Sequence, residues 1–263
     1  ATSSVYRRGI ARQRSCLTAR PKKIRADRLL FERGLADSRE QAQALIMEGV
    51  VYTPSGRVSK AGSTLLTDAE IEVKGRLPFV SRGGLKLAHA LDQFKIDVNG
   101  LAVLDVGAST GGFTDCALQR GARHVYAVDV GHGQIDYGLR QDGRVTVMEK
   151  INARYPFDLL EQVDLVTMDV SFISISMVIP EAARHLKAGQ FICSLVKPQF
   201  EASKAEVGRG GVIKDPKVHG AVLGKTVNWA VSQGLRVRDM TRSPIQGDAG
   251  NREFFILLQK AQD

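Results

Sequence analysis

From Gly100 to the end of the chain, short apolar runs alternate with segments of helical spacing. Runs of this kind, four to eight residues long and bounded by turn residues, are the pattern of strands covered on both faces, and their alternation with helices predicts a mainly parallel sheet. The predicted strands are Ala102 to Val106, His124 to Val128, Val145 to Met148, Asp164 to Met168, Gln190 to Val196, Leu235 to Met240 and Phe254 to Gln259. The last two are joined by the turn-rich stretch Ser243 to Asn251, so they form a hairpin and the final strand runs antiparallel to the rest.

The front of the chain has a different rhythm. A helix is predicted from Arg25 to Arg33, ending at Gly34. Ser38 and Gln41 form a capping box for a second helix, in which Ala42, Leu45 and Ile46 make an inward stripe that ends at Gly49. Val50 to Tyr52, the turn Thr53 to Gly56, and Ile71 to Val73 read as short strands with tight connections. The organisation is therefore a tail (1–23), a small α+β domain (24–75), a linker (76–82) and an α/β domain (83–263), whose entry helix runs from Gly83 to Phe94.

Composition adds limits. The chain has 263 residues, 43% hydrophobic and 25% charged, an ordinary globular balance. No run reaches the length of a membrane-spanning helix, so a soluble protein without a membrane partner is expected. Cys16, Cys116 and Cys193 are far apart and lack metal-ligand spacing, which predicts no metal site and a reducing compartment. The net charge of +9 is concentrated at the front, since residues 1–26 carry eight basic residues and no acid. That stretch reads either as a basic tail in a cytoplasmic protein or as the remnant of a plastid or other organellar transit peptide.

The first α/β strand ends in Asp105, followed by Gly107, Ser109, Thr110, Gly111, Gly112 and Phe113, a glycine-rich turn that opens a helix. The second ends in Asp129, a carboxylate placed to accept hydrogen bonds from a ribose. Together they imply an adenosine-containing cofactor. The spacing departs from the dinucleotide fingerprint, and Asp105 before the loop suits a cationic methionyl group, which favours S-adenosyl-L-methionine over NAD. Asn152, after the third strand, is placed to read the adenine edge.

Ligands of open α/β sheets gather at the carboxyl ends of the parallel strands. Asp169 and Lys197 end the fourth and fifth strands, and Glu253 begins the antiparallel one, so all three share that edge. Lys86, on the entry helix, completes the group. Singly, each has an ordinary structural explanation as a surface lysine, a strand-end cap or an ion pair; the shared edge is what points to chemistry. A ribose hydroxyl needs a base to take its proton, and Lys197 is the candidate, with Asp169 and Glu253 orienting. A second ammonium and burial favour a neutral base; the carboxylates oppose it.

Two resemblances sharpen this. Residues 24–73, through Arg25, Asp27, Leu30, Arg33-Gly34-Leu35, Ser38-Arg39, Ala42, Leu45-Ile46, Gly49-Val50 and Lys60, resemble the small RNA-binding motif shared by a ribosomal protein, pseudouridine synthases and tyrosyl-tRNA synthetases. Where that motif has an Asn-Gly turn, this chain has Pro54-Ser55-Gly56. The resemblance implies RNA contacts, for which Arg25, Arg28, Arg39 and Lys60, with Arg82 at the end of the linker, are the candidates. Lys86, Asp169, Lys197 and Glu253 match the Lys-Asp-Lys-Glu tetrad of FtsJ-like ribose 2′-O-methyltransferases. The segments around them, Ser81 to Leu87, Asp169 to Ile173, Leu195 to Glu201 and Asn251 to Phe254, resemble the TlyA family, some of whose members are labelled haemolysins. This implies a Rossmann-like class I methyltransferase fold and S-adenosylmethionine-dependent 2′-O-methylation of cytidine in ribosomal RNA or subunits. The rival readings are a non-catalytic RNA-binding assembly factor, a membrane-active haemolysin and an NAD-linked oxidoreductase.

Overall fold

A computed structural model describes residues 21–36, 38–47, 49–73, 78–208, 210–247 and 250–262. Residues 1–20 of the expected tail, with Cys16, and residues 76 and 77 of the expected linker lie outside them. The chain divides into two compact units, residues 1–76 and 77–263.

In the first unit, β1 (Lys23–Arg25) leads into α1 (Ala26–Glu32) and α2 (Arg39–Met47), followed by β2 (Val51–Thr53), β3 (Gly56–Arg57), β4 (Thr64–Leu66) and β5 (Glu72–Val73). β1 pairs with β4, and β2 lies between β3 and β5, all antiparallel. The punctuation expected between the helices is present. Gly34 takes φ +66 after α1 while Leu35 N donates to Leu30 O, closing the helix end. Gln41 N donates to Ser38 Oγ at 3.0 Å. The stripe of Ala42, Leu45 and Ile46 packs with Leu30 and Val51 into a small core.

The second unit opens with α3 (Arg82–Phe94), then β6 (Ala102–Val106), α4 (Gly112–Gln119), β7 (His124–Val128), α5 (Tyr137–Gln141), β8 (Val145–Met148) and β9 (Val163–Met168). A 3-10 turn at Ile175–Met177, α6 (Ile179–Arg184), β10 (Leu186–Val196), α7 (Pro198–Glu201), α8 (Pro216–Ser232), β11 (Arg236–Arg242) and β12 (Phe254–Gln259) complete it. The seven strands lie in the order β11-β12-β10-β9-β6-β7-β8, with β12 antiparallel to both neighbours. The α/β expectation of a mostly parallel seven-stranded sheet with an antiparallel last strand is met. The central strand β6 is buried throughout, and its side chains alternate. Leu104 and Val106 join the core under α6 and α8, and Val103 joins the one under α3 and α4, as the two-residue period of a strand requires. β10 begins four residues earlier than its apolar run, because Leu186 pairs with Val163 before an irregularity at the polar stretch that follows.

Candidate active site

The glycine turn after β6 carries the backbone past the end of β9. Gly107 has φ +85, and a β-carbon there would stand 2.6 Å from the carbonyl oxygen of Asp169. Only glycine allows the two strand ends this close. Gly107→Ala is therefore expected to weaken cofactor binding at least tenfold in calorimetry, because left-handed strain of about 1–3 kcal/mol adds to a backbone collision. Wild-type affinity would show that the turn is not part of the binding wall.

Beside this turn lies a cavity of about 360 Å3, walled by Gly107, Ser109, Asp129, Asn152, Asp169 and Ser171, among others. Asp129 ties its edges together: Oδ2 accepts from Ser109 N at 2.7 Å and Oδ1 from Gly131 N at 2.6 Å. Each oxygen keeps capacity for a ribose hydroxyl. Asn152 faces the cavity, but its Oδ1 also accepts from Arg154 N, so the side chain shapes its own turn. A concave, largely apolar wall with two carboxylates and a glycine cradle fits an adenosine-bearing ligand.

The remaining residues expected at the cofactor are not among those that line this cavity. Asp105 is fully buried, and its carboxylate accepts from Thr114 Oγ1 at 2.7 Å and Thr167 Oγ1 at 3.1 Å. Burial, opposed by those hydrogen bonds and helped by the charge of Asp169, pushes its pKa up to about 7. A group whose pKa is raised on folding favours the folded state at low pH, and that contribution fades as pH climbs through the folded value. Asp105→Asn is thus expected to gain stability relative to wild type between about pH 4 and pH 7 and to hold that gain above, read by chemical denaturation. A flat difference would contradict it. Thr110 and Gly111 turn away as α4 begins; Thr110 O accepts from Asp136 N, and Gly111 at φ +97 faces Leu139. Gly112 meets α3, and Phe113 enters the core, stacked on Phe255 at 6.1 Å.

That contact of Gly112 with α3 places Lys86. A β-carbon on Gly112 would collide with Ser81 Oγ and stand 2.9 Å from Gly84 N, while one on Gly84 would collide with the Phe79 ring. The glycines let the starts of α3 and α4 touch. Val80 N donates to Asp115 Oδ2 at 2.8 Å and Gln119 Nε2 donates to Pro78 O, so residues 78–82 are fastened to this unit. From α3, Lys86 Nζ reaches Glu253 Oε2 at 2.7 Å, a pair with side chains 11% and 3% exposed.

Strand register places the other pair. Val196 lies opposite Phe254, so Lys197 and Glu253 leave the sheet side by side. Asp169 N donates to Val106 O, holding Asp169 beside the glycine turn. Lys197 Nζ stands 2.6 Å from Asp169 Oδ1 and donates to Ser171 Oγ at 2.7 Å. Four charges from four separated segments thus form two ion pairs on one sheet edge, one pair opening on the cavity. Such an edge can bind an adenosyl group and hold a polar acceptor group beside it.

A model of the FtsJ-like methyltransferase family matches residues 79–260. The chain belongs to that family. Within this family it aligns with "16S/23S rRNA (cytidine-2'-O)-methyltransferase TlyA" of Mycobacterium tuberculosis at 42% identity, covering 92% of each chain. It aligns with Hemolysin A of Brachyspira hyodysenteriae at 38% identity over 88% of this chain and 98% of that one. A solved structure from Streptococcus thermophilus, carried under a hemolysin name, superposes with TM-score 0.72 at 43% identity, over 92% of this chain and 90% of that one. An S-adenosylmethionine-dependent methyltransferase from Mesorhizobium loti shares the fold at TM-score 0.51 and 14% identity, over 65% of this chain and 96% of that one. Among the described residues no helix is long and apolar enough to cross a membrane, and no His, Cys, Asp and Glu cluster suits a metal.

Several residues near the two ion pairs lie in the quoted motif segments but were given no role from sequence. Ser171 touches Lys197, Glu201 accepts from Ser174 Oγ and Ile175 N, and Phe172 stands 90% exposed at φ +63, its ring 5.0 Å from Phe200. Their signal was proximity to Asp169 and Lys197 in the chain. Cys193 is buried within β10, where burial raises its pKa, so it offers no nucleophile.

The arginine candidates of the first unit are held by acids. Asp27 is fully buried and accepts from Arg25 Nη2 at 2.8 Å, Gln43 Nε2 at 3.0 Å and Arg39 Nη2 at 3.4 Å. The Arg25 hydrogen bond, against the cost of burial, holds Asp27 well below the usual carboxylate range. Arg28 pairs with Glu32 at 2.7 Å, whereas Lys60 is exposed in the loop before β4. Arg82 lies in the second unit, exposed on the first turn of α3.

Proposed function

We propose that the chain is an S-adenosylmethionine-dependent ribosomal RNA methyltransferase that modifies a ribose 2′-hydroxyl of cytidine. The observation that carries this reading is the Lys197–Asp169 pair, 2.6 Å apart, on the rim of the cavity walled by Gly107 and Asp129. S-adenosylmethionine, when bound, supplies an electrophilic methyl group. Gly107, Ser109, Asp129 and Asn152 hold the adenosine side, and Asp105 sets the turn from behind. Lys197, having released a proton to solvent, takes the proton of the ribose hydroxyl. Asp169 and Ser171 aim the lysine, and Lys86 with Glu253 fixes the second charge pair beside it.

The first unit delivers RNA. Arg25 and Arg39, each about half exposed around Asp27, keep donors for phosphate oxygens, and Lys60 and Arg82 add charge. The substrate places the enzyme where ribosomes are assembled, which we take to be the cytoplasm.

The test is transfer of labelled methyl to ribosomal RNA from subunits lacking the modification. Sites are then mapped by alkaline hydrolysis, which a 2′-O-methyl group blocks. Label at a cytidine that resists cleavage is expected. No incorporation would leave an RNA-binding assembly factor, and label on a base would move the reaction off the ribose.

A further inference from the structure

The turn at Ile175–Met177 separates two cavities. Ile173 and Val178 face the adenosine cavity. The residues between them line a second cavity of about 230 Å3, closed on its far side by Glu201, Lys225 and Trp229. It is smaller than the ~300–1,000 Å3 of sites for drug-sized ligands and suits one flat ring. It also lies beside the reacting edge, since Glu201 follows Lys197 by four residues, about 6 Å of helix rise.

The wall formed by Ser174, Ser176 and Glu201 is one-sided in its hydrogen bonding. Glu201 accepts from Ser174 Oγ at 2.6 Å and from Ile175 N at 2.8 Å. Because the Ser174 proton goes to Glu201, the 2.7 Å contact between Ser174 and Ser176 is donated by Ser176 Oγ. Ser176 Oγ then has only lone pairs to offer, and each Glu201 oxygen has one acceptor position left. A ligand meeting this wall must donate. Trp229 contributes an aromatic surface, and exposed Lys225 sets a cation at the rim.

We propose that this cavity is a nucleobase subsite for an RNA residue next to the methylated one, selective for bases with an exocyclic amine. It rests on the methyltransferase reading for its RNA. Single-stranded RNA is recognised by stacking on aromatic rings and by hydrogen bonds to base edges, with lysine on the phosphate. Cytosine, adenine and guanine present an amine whose two N–H groups can meet Glu201 and Ser176 together; uracil presents only a single ring N–H.

Trp229 is the chain's single tryptophan, so its emission reports this cavity directly. In titrations of the whole protein, cytidine and adenosine hexanucleotides are expected to quench that emission saturably, with uridine hexanucleotide at least tenfold weaker. Absence of quenching, or equal quenching by the uridine oligomer, would overturn the proposal. Ser176→Phe, which fills the cavity, is expected to raise KM for ribosomal RNA about tenfold, the size of one stacked base, at unchanged kcat and S-adenosylmethionine affinity. An unchanged KM in a variant with wild-type cofactor affinity would also overturn it. Should that variant fail to fold, the hexanucleotide titrations decide. Quenching requires no methyl transfer, so a wild-type protein that labels no RNA would count against the methyltransferase reading and not against the cavity.

Discussion

Lys197→Ala is expected to lower turnover on ribosomal RNA by on the order of 10²-fold or more, the usual size of a lost general base. Affinity for S-adenosylmethionine should stay near wild type. The cavity is walled by Gly107, Ser109, Asp129 and Asn152, and Lys197 reaches it only through Asp169 and Ser171. Lys197→Arg separates the proton role from the charge role, because a guanidinium holds its proton at any working pH. Loss as deep as that of the alanine variant marks Lys197 as the base; substantial activity in the arginine variant would reduce it to an electrostatic partner. Single-turnover rates with calorimetry of cofactor binding read both quantities.

Glu253→Ala should cost stability as well as activity. It leaves the ammonium of Lys86, only 11% exposed, without its carboxylate, and breaking a buried pair from one side costs about 3–5 kcal/mol. For a unit of this size that corresponds to a fall in Tm of about 10 °C. The double variant Lys86→Met/Glu253→Leu removes both charges and is expected to recover most of the lost Tm while remaining inactive. Recovery of activity along with Tm would show that the pair is structural only. An unchanged Tm in Glu253→Ala would show that water already reaches Lys86.

The strands of the second unit were legible because their signal is local. β6, β7, β8 and β12 begin and end where apolar runs meet turn residues, and the antiparallel last strand follows from the hairpin before it. The sheet edge shared by Asp169, Lys197 and Glu253 follows from the same logic, since strand direction alone decides which ends face the ligand. The wall of the cavity beside Gly107 was less legible. Asp105 and Phe113 sit in the motif that marks the cavity, yet the start of α4 rotates Phe113 into the core, and Thr114 and Thr167 hold Asp105 beneath the turn. In the first unit, Arg25 and Arg39 read only as candidates for RNA contact, and the structure finds Asp27, two and twelve residues away along the chain, between them.

Sequence by itself determined the seven strands of the second unit, the family, and the four charged residues of the edge, because apolar period and motif spacing are written in neighbouring residues. The tertiary structure alone decided that those four charges divide into Lys86–Glu253 and Lys197–Asp169, and that Ser171 joins the second pair. It also decided that a second, acceptor-lined cavity lies behind the Ile175–Met177 turn. The reason is range: which carboxylate meets which ammonium depends on strand register and on how closely glycines let helices approach, and both are set by packing between segments far apart in the chain.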